Sequence, residues 1–138
     1  MRSSLLVLVS LVAGCAGPRE QMVDPGDAGV SREPPVRLRA GAQTFVGSQW
    51  CSRPATIDLE VVRRATAEWR EIEREGVREG SARHGLLRMA MHRRIVAACE
   101  AVALAEARDL VVRAGDIVDA RGLQVVDLTA AVTAALGE

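Results

Sequence analysis

Apolar and polar side chains alternate from Ala55 to Leu59 (ATIDL), a period of two that predicts a short β-strand. From Val62 the step changes. Val62, Ala65, Trp69, Ile72 and Gly76 recur every three or four residues, a helical stripe as narrow as a coiled-coil seam and flanked by Arg and Glu. The stretch EGVREGSARHG then brings Gly76, Gly80 and Gly85, each costing about 1 kcal/mol in a helix interior relative to Ala. A break is expected there, with Ser81 capping the next helix. That second helix is expected over about residues 82–107, where Leu87, Met91, Ile95, Ala98, Val102 and Ala105 again step by three and four. Its end (IVAACEAVALA) is apolar nearly all round, which predicts burial, whereas its Arg-rich start predicts projection into solvent.

The closing segment mixes both periods. Asp109 to Arg113 (DLVVR) is a strand candidate, Ala114-Gly115 a turn, Ile117 to Ala120 a second strand and Arg121-Gly122 another turn. Val125-Val126 leads to Asp127, placed to cap a helix from Leu128 to Leu136, with Gly137 beyond its end. Two helices that leave and return bring residues 55–59 beside residues 109–113, so each isolated strand gains a partner. The predicted class is α+β: strand, long helical hairpin, two short strands, C-terminal helix.

Upstream the pattern is different. All five prolines lie at or before position 54, interspersed with Gly17, Gly26, Gly29, Gly41 and Gly47. Such punctuation predicts a flexible tether over residues 15–54, with a root-mean-square reach of roughly 35 Å; the weak alternation from Val36 to Trp50 allows a strand instead. Before it, Arg2 followed by the apolar run Leu5 to Ala13 predicts an export signal over residues 1–14. Nine helical residues would span roughly 14 Å, about half a bilayer core, too little for a membrane span. Val12-Ala13-Gly14-Cys15 resembles the bacterial lipobox, which implies lipidation of Cys15 and anchoring at the periplasmic face of the outer membrane. An ordinary secretory signal that merely ends near Cys15 is the alternative.

Charge is balanced, with 18 basic and 18 acidic side chains, and therefore gives no bulk basicity that would point to nucleic acid. Lysine is absent. Arg70, Arg74, Arg78, Arg83 and Arg88 crowd the helical arms, expected over about residues 61–107. They are candidates for a surface that attracts acidic clients or anionic headgroups, against the plainer reading of a solvated face laced with i,i+4 pairs. Cys51 and Cys99 are left after Cys15, and an oxidising envelope leaves two states open: a disulfide between them, or a buried free Cys99 with an exposed Cys51. His84 and His92 stand eight apart, without the spacing or partner carboxylate of a zinc site, and no catalytic residue, metal or cofactor is expected. Asp116 and Asp119 suit edge or turn roles.

The order of elements, with ATIDLEVVRRA at one end and DLVVRAGDIVDARGLQVVDLTAAVTAAL at the other, resembles the Skp/OmpH-like family of periplasmic chaperones over residues 55–138. The family's Asp-Ile-Thr-like helix start corresponds to Asp127-Leu128-Thr129. The resemblance implies a homotrimer whose strands form a central β-body and whose arms enclose unfolded outer-membrane proteins without ATP. A lean core with Trp69 as its one aromatic also favours completion by further copies. The 49 residues from Glu60 to Arg108 are fewer than the family's arm normally has, which suits an alternative role: a structural or adaptor lipoprotein docking one folded envelope partner.

Overall fold

The computed structural model describes residues 32–137. The expected export signal, Cys15 and the first part of the tether lie outside those residues. The described chain is α+β, with four helices, one of them long, and two small sheets.

The centre is a pair of parallel strands. β3 (Pro54–Ile57) runs beside β4 (Leu110–Arg113), with Ala55 opposite Val111 and Thr56 opposite Val112. This is the pairing predicted for residues 55–59 and 109–113. Parallel neighbours need a long crossover, and the helical excursion supplies it. Both strands are buried along nearly their whole length, as parallel strands covered on two faces must be. β6 (Val126–Asp127) adds a short parallel edge against β3, and β2 (Thr44–Gly47) closes the other side antiparallel to β4, giving the order β2-β4-β3-β6.

β2 corrects the tether expected to run to position 54. β1 (Arg37–Leu38) pairs with β5 (Ile117–Asp119), and Val36, Phe45 and Cys51 are buried. The outer edge of β4 would otherwise present unpaired backbone groups, and residues 44–47 satisfy them. The glycines that punctuate this segment form turns. Gly47, at φ 73°, passes so close to β4 that a Cβ there would lie 1.8 Å from the Asp109 carbonyl oxygen. Only glycine fits.

Side-chain alternation along β4 divides the core in two. Val111 faces the helices together with Ala55, Ile57, Ile95, Cys99 and Val132. Leu110 and Val112 face the other way, onto Val36 and Cys51, with Leu38 and Ile117 of the β1–β5 ribbon closing over them. The result is three layers: helices, four-stranded sheet, two-stranded ribbon.

The stripe that begins at Val62 is divided between two helices, which corrects the single helix expected there. α1 (Leu59–Ala65) and α2 (Ala67–Glu75) meet at Thr66, whose extended backbone (φ −77°, ψ 150°) ends one and starts the other. The Thr66 hydroxyl donates to the Arg63 carbonyl at 2.6 Å and accepts the Trp69 N–H at 3.2 Å, so one side chain serves both ends. Asp58 caps α1 through the N–H groups of Glu60 and Val61, left-handed Gly76 ends α2, and Ser81 caps α3 (Ala82–Ala105) through the His84 N–H, as predicted. α4 (Thr129–Leu136) seats Val132 in the helical core layer. Its start is fixed by the Asp127 carboxylate, which accepts the Thr129 N–H at 2.8 Å, while the Thr129 hydroxyl accepts the Asp58 N–H at 2.8 Å. Two neighbouring helix starts are thereby tied together.

The hairpin is asymmetric, nine residues of α2 against twenty-four of α3. Burial of α3 is confined to one face. Met91, Ile95, Ala98, Cys99 and Val102 point inward, but Ala97, Ala101 and Ala105 are not buried and Leu104 is 83% exposed. The all-round burial expected of its C-terminal end is therefore not met within one chain.

Candidate functional site

Three aspartates hold the loops around the sheet. The side chain of Asp116 is fully buried; it accepts the Gln43 N–H at 2.8 Å and pairs with Arg39 Nε at 2.8 Å and Arg113 Nη2 at 2.9 Å. Burial works to raise its pKa, but the Arg113 hydrogen bond, the Gln43 amide and the two guanidinium charges outweigh it and hold the carboxyl below its ordinary range. Asp109 gathers the Ser52 N–H and hydroxyl and the Arg53 N–H at 2.7–2.8 Å, which likewise overcome burial and lower its pKa. Asp127 is lowered by the Thr129 hydroxyl and N–H. Each of the three carboxylates is engaged by local donors, so these groups shape turns. Asp119 accepts the Arg121 N–H at 2.8 Å, in keeping with the turn role expected of it.

Among the described residues a large concave feature lies where α1 and the first half of α3 diverge. A cleft of about 740 Å³ opens there, floored by Leu59, Met91 and Ile95 and edged by Met89. Its polar lining is Gln43, Arg63, Arg88, His92 and Arg93. No acidic side chain lines it. A smaller cleft of about 320 Å³, between Trp69, Ile72, Glu79 and His84, shares Arg63, Arg88 and Met91 with the first. Met89, at the rim, is 58% exposed, and Leu86, three residues before it on α3, is 67% exposed. Large apolar side chains left open beside a cleft mark a binding surface more often than scattered exposure does.

The five arginines singled out from the sequence fall into three settings. Arg83 bridges α3 to α2 through Glu71, at 2.9 Å, and Glu75. Arg74 pairs with Glu75, and Arg70 donates to the Ala65 carbonyl at 2.9 Å, bracing the Thr66 break. Arg78 is exposed near the tip of the hairpin. Arg88 lines both clefts and makes no hydrogen bond or ion pair among the described residues. The cleft also recruits Arg63 and Arg93, which sequence reasoning does not separate from the other arm charges, and Leu59, which the alternation assigns to the end of a strand. Arg63 bonds Glu60 at 2.8 Å. The four-residue step from Leu59 to Arg63, which puts an apolar residue and a cation on one side of α1, is a signal that could have found two of them.

Cys51 and Cys99 are both free and both buried, which corrects the expected bridge and the expected exposure of Cys51, while the buried free Cys99 of the other state is as expected. The alternation along β4 explains why. Cys51 sits with Leu110 and Val112, and Cys99 with Val111, so the sheet lies between the two thiols. Burial raises the Cys99 pKa to about 12, and burial with the nearby Asp109 charge raises that of Cys51. His84 and His92 fall in different clefts. Among the described residues no group of three or more His, Cys, Asp or Glu is arranged to hold a metal ion, and no helix is long and apolar enough to cross a membrane.

No protein-family model, curated protein or solved structure matches the chain. The class is thus set by its architecture: a small α+β protein with a three-layer body and an open, arginine-edged apolar cleft beside its helical arm.

Proposed function

We propose that this chain is a lipid-anchored envelope protein that, like the Skp/OmpH-like chaperones it resembles, holds unfolded or partly folded envelope proteins without ATP. The observation that carries the reading is the cleft: an apolar floor with the exposed Met89 at its rim, edged by arginines and open to solvent. Non-native chains offer apolar segments that such a surface can cover at roughly 25 cal/mol per Å², while flexible Met side chains adapt to varied sequence. Oligomerisation into a trimer belongs to the same proposal. It is supported by the open C-terminal face of α3 around Leu104, which a second copy would cover.

The test is aggregation of a urea-unfolded outer-membrane β-barrel protein diluted into buffer. The chain should suppress light scattering at near-stoichiometric ratio without nucleotide, and Leu86→Asp with Met89→Asp should remove most of that effect. Unchanged scattering with the wild-type chain sinks the reading. The anchor is tested by Cys15→Ala, which should release the protein from the membrane fraction.

The asymmetric hairpin favours a second reading, an adaptor that docks one folded partner. α2 is only nine residues long, and two of its glutamates are engaged with Arg83, so the arm offers a small fixed surface. Crosslinking in cells separates the two: many clients support the chaperone, one stoichiometric partner the adaptor.

A further inference from the structure

The cleft between α1 and α3 combines two chemistries that its use as a general apolar surface does not require. Its floor is a short apolar patch, Leu59, Met91 and Ile95, and its edge carries Arg63, Arg88, Arg93 and His92 with no carboxylate among the lining residues. Arg88 is free of hydrogen bonds and ion pairs among the described residues, and Arg93 makes only a long contact, 3.5 Å, with the Met89 carbonyl. A guanidinium free to form a fork with two oxygens, next to a pocket for one large apolar group, is complementary to a ligand that is anionic at one point and apolar at the next.

We infer that the cleft binds the C-terminus of a polypeptide ending in an aromatic or large aliphatic residue, with Arg88 on the free α-carboxylate and the terminal side chain against the exposed Met89, over the cleft-facing atoms of Met91 and Ile95. The inference rests on the client-holding role proposed above and names the part of a client that this site takes. Three features favour a chain end over the acyl tail of a lipid. The apolar floor is short and the cleft is open, whereas an acyl chain needs a long covered surface. Gln43 brings an amide that can donate to and accept from a peptide group. Gly85, lining the exit, has open space where its Cβ would be, so an extended backbone can leave along α3. The thioethers of Met89 and Met91 favour an aromatic terminal side chain. A cleft of about 740 Å³ falls within the roughly 300–1,000 Å³ usual for ligand sites.

The experiment uses residues 16–138, which contain all of the described body, since both of its core clusters close within residues 36–136. A fluorescent decapeptide ending in Phe with a free carboxylate is titrated by anisotropy beside the same peptide amidated and one ending in Ser. The free acid should bind at least tenfold tighter than either. Arg88→Gln should bring the acid down to the amide's affinity and leave the amide unchanged, while Arg74→Gln, paired with Glu75 outside the cleft, should change nothing. Equal binding of acid and amide, no binding of either, or displacement of the acid peptide by decanoate at equal concentration would overturn the inference. So would a drop in oligomeric mass with Arg88→Gln in the absence of peptide, since a second copy would then occupy the cleft. Suppressed aggregation without acid preference sinks this inference and leaves the chaperone reading standing. Acid-selective binding without suppression does the reverse.

Discussion

The backbone N–H of Gln43 donates to Oδ2 of Asp116 at 2.8 Å across 73 residues of sequence, joining the loop before β2 to the turn after β4. Removing that carboxylate leaves a part-buried amide and two guanidinium groups without their acceptor. Arg39 and Arg113 both reach water, which limits the loss. Asp116→Ala should therefore cost about 2 kcal/mol, below the range for a wholly buried ion pair, as read from the urea midpoint.

The same aspartates set a pH dependence. The pKa values of Asp109, Asp116 and Asp127 are all lowered on folding, so the unfolded chain binds more protons in acid. Their contribution is complete above the unfolded carboxyl pKa of about 3.9 and is lost as pH falls through the folded values. Urea midpoints should stay level from pH 7 to about pH 5 and drop below about pH 4. The slope of that drop should be shallower in Asp116→Asn.

Gly47 and Gly41 separate conformational strain from steric clash. Both have positive φ, 73° and 74°, so Ala at either suffers a left-handed backbone cost of about 1–2 kcal/mol. Gly41 faces open space, but a Cβ on Gly47 meets the Asp109 carbonyl. Gly41→Ala should lose no more than that strain, whereas Gly47→Ala should lose about 3–5 kcal/mol or push β2 off the sheet. Thermal midpoints of the two variants, measured side by side, check the difference.

Cys51 and Cys99, on opposite faces of the sheet, predict a chain indifferent to redox state. With Cys15 replaced by Ala, the native protein should react slowly with a thiol reagent at about pH 8, because burial holds Cys99 near a pKa of about 12 and only the thiolate attacks. Two thiols should be counted after unfolding, and unfolding midpoints with and without reductant should coincide. A single midpoint that falls on reduction would contradict the placement.

What was legible in the sequence was whatever a local rule decides. The alternation of ATIDL and the short apolar run in DLVVR located the central strands, and Ser81 and Asp127 marked helix starts because their short side chains can reach the free N–H groups there. Three things were not legible. Prolines and glycines before position 54 look the same whether they loosen a coil or turn a chain between strands, and only the unpaired edge of β4 decides between them. The three-and-four step from Val62 to Ile72 continues across Thr66, so periodicity hides a one-residue break made by a hydroxyl. Nor does composition tell Arg88, facing a cleft, from Arg83, engaged with two glutamates; partners twelve and eight residues away settle that.

The exposed end of α3 gives the last prediction. Leu104 is 83% exposed on a face whose neighbours Ala97, Ala101 and Ala105 are small, so another helix can approach closely there. Within one chain Leu104 contributes almost nothing to the core, and Leu104→Arg should leave the stability of a monomer unchanged within about 0.5 kcal/mol. If copies associate through this face, the new guanidinium must either be desolvated there or force the copies apart, and the mass measured by light scattering should fall to that of one chain. Separating these two readouts is informative because a core residue would move both together. A wild-type chain that is already monomeric at micromolar concentration would remove the trimer from the proposed function and leave the cleft to act alone.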